Sequence, residues 1–69
     1  MTVLAERLLM LRTERHLSQD EAAKALGIGF QSYRRYEHSE REPTAPVIVS
    51  MADFFGVSAD YLLGRTDQR

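Results

Sequence analysis

Residues 18–37, "SQDEAAKALGIGFQSYRRYE", contain two helix-forming runs separated by only "GIG". Ser18 opens the first run, and Glu21 three residues later completes a capping box, which satisfies the unpaired amides of a helix start. Leu17 stands just before the cap, where it can staple against Ala22. Gly27 follows Leu26, where a helix end favours a left-handed residue. Gly29 then precedes the second run, Phe30 to Glu37. A connection this short, with glycine at the turn, sets two helices at a steep angle rather than side by side. Ala22, Ala23 and Ala25 are small enough to let the first of them approach its neighbours closely, and Ile28 can plug the turn from inside.

The rest of the chain is punctuated in the same way. Thr2 can cap a first helix to about Arg15, with Leu4, Leu8 and Leu11 on one stripe. His16-Leu17 breaks it. After the two runs, Pro43 forbids helical geometry at the residue before it, so "HSEREP" is a loop. Thr44 caps a fourth helix to Phe55, with Pro46 tolerated in its first turn. Gly56 ends that helix, and Ser58 caps a short fifth, "ADYLL", which stops at Gly64. The expected fold is all-α and compact, with five helices and no strand. Residues 1–66 form one domain, and 67–69 a frayed tail.

Composition removes several classes of function. With 69 residues and no cysteine, disulfides and cysteine-based metal sites are excluded. His16 and His38 lack the spacing of a shared metal ligand pair, so no metal is expected. Glu6 and Arg7 interrupt the apolar N-terminal run, which argues against a signal peptide. No stretch approaches the roughly 20 apolar residues of a membrane span. A cytoplasmic protein with no cofactor is the expectation. "GIG" lacks the third glycine and preceding strand of a dinucleotide loop, since Ser32 stands where that glycine belongs. His38 lies near Glu37 and Glu40 but has no nucleophile or pocket beside it, so an enzyme is not expected.

Two helices at such a turn can read duplex DNA: the first lies across the phosphates and the second enters the major groove. Tyr33 and Tyr36, three residues apart, point to the core rather than to a base-stacking platform. Phe30, Gln31, Arg34 and Arg35 are left nearer the outside. Adjacent arginines are by default a wet helix face; at this place on a second reading helix, Arg35 turns toward bases.

"LSQDEAAKALGI", "RRYEHSEREP" and "ADFFGVSADYLLGRTD" together resemble the Cro and repressor (xenobiotic-response-element) helix-turn-helix family, from Arg7 to Asp67. The resemblance implies a lambda-repressor-like domain and gives roles to particular residues. Gln19 would contact a phosphate and brace the reading helix. Phe30, Gln31 and Arg35 would face base edges, with Arg34 beside them, and His38 and Arg41 would clamp the backbone. Arg12 would pair with Glu37 as a structural link. The chain also departs from the family. Gly29 replaces a hydroxyl cap, Phe30 can offer a thymine methyl only a packing surface, and Ser39-Glu40 stands where glycine-lysine is common.

Charge weighs against an easy DNA-binding assignment. Nine Lys and Arg face ten Asp and Glu, a net of −1, and from Gly29 to Arg41 the balance is about +1. A weak monomer would need a second copy, because joined readers multiply affinity. Surplus apolar residues at Phe54, Val57, Tyr61 and Leu63 are the expected dimer surface, with Leu9 and Met10 a second candidate. The expected function is a sequence-specific transcriptional repressor binding double-stranded DNA in the major groove as a homodimer on a palindromic operator. The alternative is a module of the same fold, antitoxin or adaptor, whose main partner is another protein.

Overall fold

In the computed structural model, which describes residues 2–69, the chain forms five helices and no strand. They are α1 (Val3–Glu14), α2 (Gln19–Leu26), α3 (Phe30–Glu37), α4 (Ala45–Phe55) and α5 (Ala59–Leu62). Three begin on hydroxyl caps. Thr2 accepts the Ala5 amide at 3.1 Å, Ser18 the Glu21 amide at 3.0 Å, and Ser58 the Tyr61 amide at 3.0 Å. The Glu21 carboxylate returns a bond to the Ser18 amide at 2.9 Å, completing the capping box. Thr44 precedes α4 without a side-chain bond, and α3 starts on Gly29 with none available.

All five helices end alike. A left-handed residue (His16, Gly27, Ser39, Gly56 or Gly64) turns the chain. The following amide then bonds back to the carbonyl five residues earlier, at 2.9–3.2 Å. This Schellman geometry satisfies carbonyls that would otherwise be orphaned. Two of the five turn residues, His16 (φ +57) and Ser39 (φ +60), are not glycine and carry a steric cost.

Leu8 and Leu11 of α1 pack with Tyr36, with Met51, Ala52 and Phe55 of α4, and with Tyr61 and Leu62 of α5. A second cluster joins Ala22 and Ala23 to Tyr33. Leu26 and Ile28, half-buried, pack against both clusters and so tie the α2–α3 turn to the core. Each fully buried Leu or Met contributes about 1.5–3 kcal/mol, so Leu8, Met51 and Leu62 together anchor α1, α4 and α5.

The C-terminal region departs from the sequence expectation. Tyr61 is only 4% exposed, so it is not free to line a dimer surface. Two guanidiniums lie over its ring, Arg7 at 4.1 Å and Arg69 at 5.6 Å from the centroid. Phe54 is half-buried edge-on to Phe55, 4.9 Å between centroids, beneath Arg15. Val57 is half-buried against the core, leaving Leu63 the most exposed of the four at 48%. The closing residues carry bonds to the rest of the chain. Arg7 donates to the Tyr61 carbonyl, to the Thr66 carbonyl at 2.6 Å and to the Asp67 carboxylate at 2.9 Å. Arg69 grips Glu14 through two bonds of 2.6 and 2.8 Å, and its own carbonyl accepts the Ser58 amide. Sequence reasoning gave Arg7 no such role, because its partners lie 54–60 residues away.

Candidate nucleic-acid interface

The three residues between α2 and α3 present α3 on the surface by one face and hold it by the other. Tyr33, Tyr36 and Glu37 are buried, whereas Phe30, Gln31 and Arg35 are exposed and Arg34 is half-buried. Gln31 and Arg35 are four apart in continuous helix, so they share a side. His38 and Arg41 are exposed in the segment that follows. The first turn of α3 has neither an acid nor a capping side chain. Its amides and the positive end of the helix dipole are therefore left for an anion.

Beneath this face is a polar network. Glu37 is 3% exposed and receives Arg12 Nε at 2.6 Å and Nη2 at 3.1 Å. Arg12 also donates Nη1 to the Leu17 carbonyl at 2.8 Å, linking α1 to the residue before the α2 cap. Gln19 donates Nε2 to Glu37 Oε1 at 3.1 Å. One carboxylate thus joins α1, α2 and α3. Burial pushes the Glu37 carboxyl up, but the bond from Arg12, the neighbouring Tyr33 hydroxyl and the bond from Gln19 outweigh it and hold it below the usual carboxylate range. The Tyr33 phenol sits beside the pair, near enough to favour the Glu37 charge, yet its buried hydroxyl has no partner at full hydrogen-bond geometry. Burial, and then the Glu37 carboxylate, push that phenol well above its ordinary value.

The ion pairs change the meaning of the net charge. Among the described residues, Arg7, Arg12, Lys24, Arg65 and Arg69 pair with Asp67, Glu37, Asp20, Asp60 and Glu14. Of the nine Lys and Arg, the four without an acid partner are Arg15, Arg34, Arg35 and Arg41. Three of these four lie on α3 or in the loop after it. Glu40 and Glu42, also unpaired and exposed, temper this field. Among the described residues no group of three or more His, Cys, Asp or Glu is placed to hold a metal ion. No helix among them is long and apolar enough to cross a membrane.

Comparison with known proteins points the same way. The helix-turn-helix family matches residues 8–62. The chain is 34% identical over 64 residues to the HTH-type transcriptional regulator ImmR of Bacillus subtilis, covering 93% of this chain and 50% of that protein. It is 37% identical over 62 residues to the cryptic phage CTXphi transcriptional repressor RstR of Vibrio cholerae serotype O1, covering 90% of this chain and 55% of that one. The chain spans about half the length of the curated relatives it matches. Among solved structures, the P22 c2 repressor bound to a synthetic operator superposes with a TM-score of 0.84 at 25% identity, covering 91% of this chain and 96% of that one. A hypothetical transcription factor from Neisseria gives 0.85 at 29% identity, covering 90% and 70%. The chain belongs to the helix-turn-helix family and has the repressor-type DNA-binding fold of its transcription-regulating members.

Proposed function

We propose that this chain is a transcriptional repressor that occupies a palindromic operator as a homodimer in the cytoplasm, each copy placing α3 in the major groove. The observation that carries this is the clustering of unpaired cations: Arg34, Arg35 and Arg41 lie on or just after α3, while most other basic side chains are neutralised by acids. Arg35 can take a guanine edge bidentately and Gln31 an adenine edge, while Phe30 can pack on a thymine methyl. Gln19, His38 and Arg41 supply backbone contacts, which fix register without reading sequence. Burial of Tyr61 supports a dimer surface around Leu63 instead. Leu63, 48% exposed, is the side chain through which a second copy would pack.

The test is selection of bound sequences from random DNA by purified protein at two salt concentrations. A twofold-symmetric site with half-sites about 34 Å apart is expected, with affinity falling steeply as salt rises. Failure to enrich any sequence refutes the proposal. One observation favours a protein partner instead: the unpaired Glu40 and Glu42 line a groove of about 390 Å³ together with Val3, Leu4, Pro43, Ile48 and Leu63. A stable monomer at high concentration in sedimentation, with no selected DNA, is the outcome that reading requires.

A further inference from the structure

Ser39 holds a left-handed backbone, φ +60, at a position where glycine would carry no strain. Such strain persists only where the surroundings over-determine it. Here the surroundings include a long-range bond: the Thr2 backbone N–H donates to Ser39 Oγ at 2.9 Å, across 37 residues. Thr2 is itself held, because its own hydroxyl caps α1 through the Ala5 amide. Val3 beside it packs hard against the Gly64 turn, where an added Cβ would lie 2.9 Å from Val3 Cγ1. On its other side Ser39 terminates α3, its amide bonding the Tyr36 carbonyl at 3.3 Å and the next amide bonding the Arg35 carbonyl at 2.9 Å. Arg41 follows two residues later. A single hydroxyl therefore joins the start of α1 to the stretch between the base-facing Arg35 and the backbone-facing Arg41.

We infer that Ser39 is a positioning residue, which orders the loop carrying Arg41 before DNA arrives. This rests on the DNA-binding function proposed above. A glycine supplies the same turn, so what serine adds is the tether. Untethered, the loop would have to be ordered on binding, and that entropy is subtracted from affinity. The effect acts on the phosphate contact and leaves base readout alone, because α3 is held independently through Glu37.

Ser39→Gly removes the hydroxyl while keeping the turn, and tests this on an operator selected by the wild-type chain. The variant should melt within a few degrees of wild type and bind roughly three- to tenfold more weakly at moderate salt. Its base-preference profile should not change. In an Arg41→Ala background the same change should add no further loss, because the tether acts through Arg41. Wild-type affinity for Ser39→Gly overturns the inference, as does a full additional loss in the Arg41→Ala background or an altered base profile. A wild-type chain that selects no DNA removes the proposed function, and this inference with it.

Discussion

Removing either partner of the Arg12–Glu37 pair should cost far more than removing both. The two sides are not equivalent. Glu37→Ala frees Arg12, which is 14% exposed and keeps its bond to the Leu17 carbonyl, so the loss should fall near the low end for a broken buried pair, about 3 kcal/mol. Arg12→Ala leaves a carboxylate at 3% exposure with Gln19 as its remaining hydrogen-bond donor, so about 5 kcal/mol is expected. A domain of 69 residues holds a total of roughly 3–10 kcal/mol, so either change approaches the limit of folding. At about 4–8 °C per kcal/mol for a domain this small, Glu37→Ala should lower Tm by about 12–24 °C. The double variant leaves no uncompensated charge and should lose less than either single variant, at least about 5 kcal/mol less than the sum of the single losses. Urea unfolding followed by far-ultraviolet circular dichroism, with sulfate added to keep the single variants folded, measures all four corners of the cycle. Strictly additive losses would refute the coupling. Acid gives an independent check. The folded-state pKa of Glu37 is depressed, so its contribution is complete above the unfolded carboxylate range near 4.3–4.5 and fades as pH falls through the lower folded value. The double variant should show a shallower loss of stability below pH 4.5 than wild type.

Tyr33→Phe removes a buried hydroxyl that has no partner at full hydrogen-bond geometry and should leave thermal stability unchanged or raise it by up to about 1 kcal/mol, whereas Tyr33→Ala should cost about 3–5 kcal/mol and unfold the domain. Glu40→Lys should raise DNA affinity and steepen the salt dependence by about one to two phosphate equivalents, and an unmoved slope would mean that the loop does not face the backbone. His16→Gly, at φ +57, should raise stability by about 0.5–1 kcal/mol in thermal melts by relieving a left-handed side chain; destabilisation would show that the imidazole makes a contact worth more than the strain.

The parts of the fold legible in the sequence are those fixed by neighbours in the chain. Ser18 and Glu21 declare a helix start because their bonds span three residues, and Gly27 and Gly56 declare ends because a left-handed turn selects for them. The sides of α3 were equally readable, since the three-residue spacing of Tyr33 and Tyr36 leaves one inward face. Arg12 and Glu37, 25 residues apart, could be matched only through family resemblance, because nothing local marks two charges as partners. The bonds of the C-terminal segment were illegible for the same reason. "RTDQR" has no apolar residue, and its anchorage comes from Arg7 and Glu14 on α1. That anchorage also buries Tyr61, which a count of apolar residues had assigned to a dimer surface. Ser39 stood out only as a departure from glycine; its bond to Thr2 requires the fold.

The central claim is that α3 reads bases through Arg35 while Arg41 meets only the backbone. It is tested most directly by the base-preference profile of Arg35→Ala, obtained by selection from random DNA beside wild type and Arg41→Ala. Arg35→Ala should lose about 1–3 kcal/mol on the preferred site and relax preference at one or two base pairs in each half-site. Arg41→Ala should keep the wild-type profile, weaken all sequences alike and lower the salt slope by about one per monomer. An Arg35→Ala profile and affinity indistinguishable from wild type would mean that the arginine pair is a solvated helix face and that α3 does not read DNA.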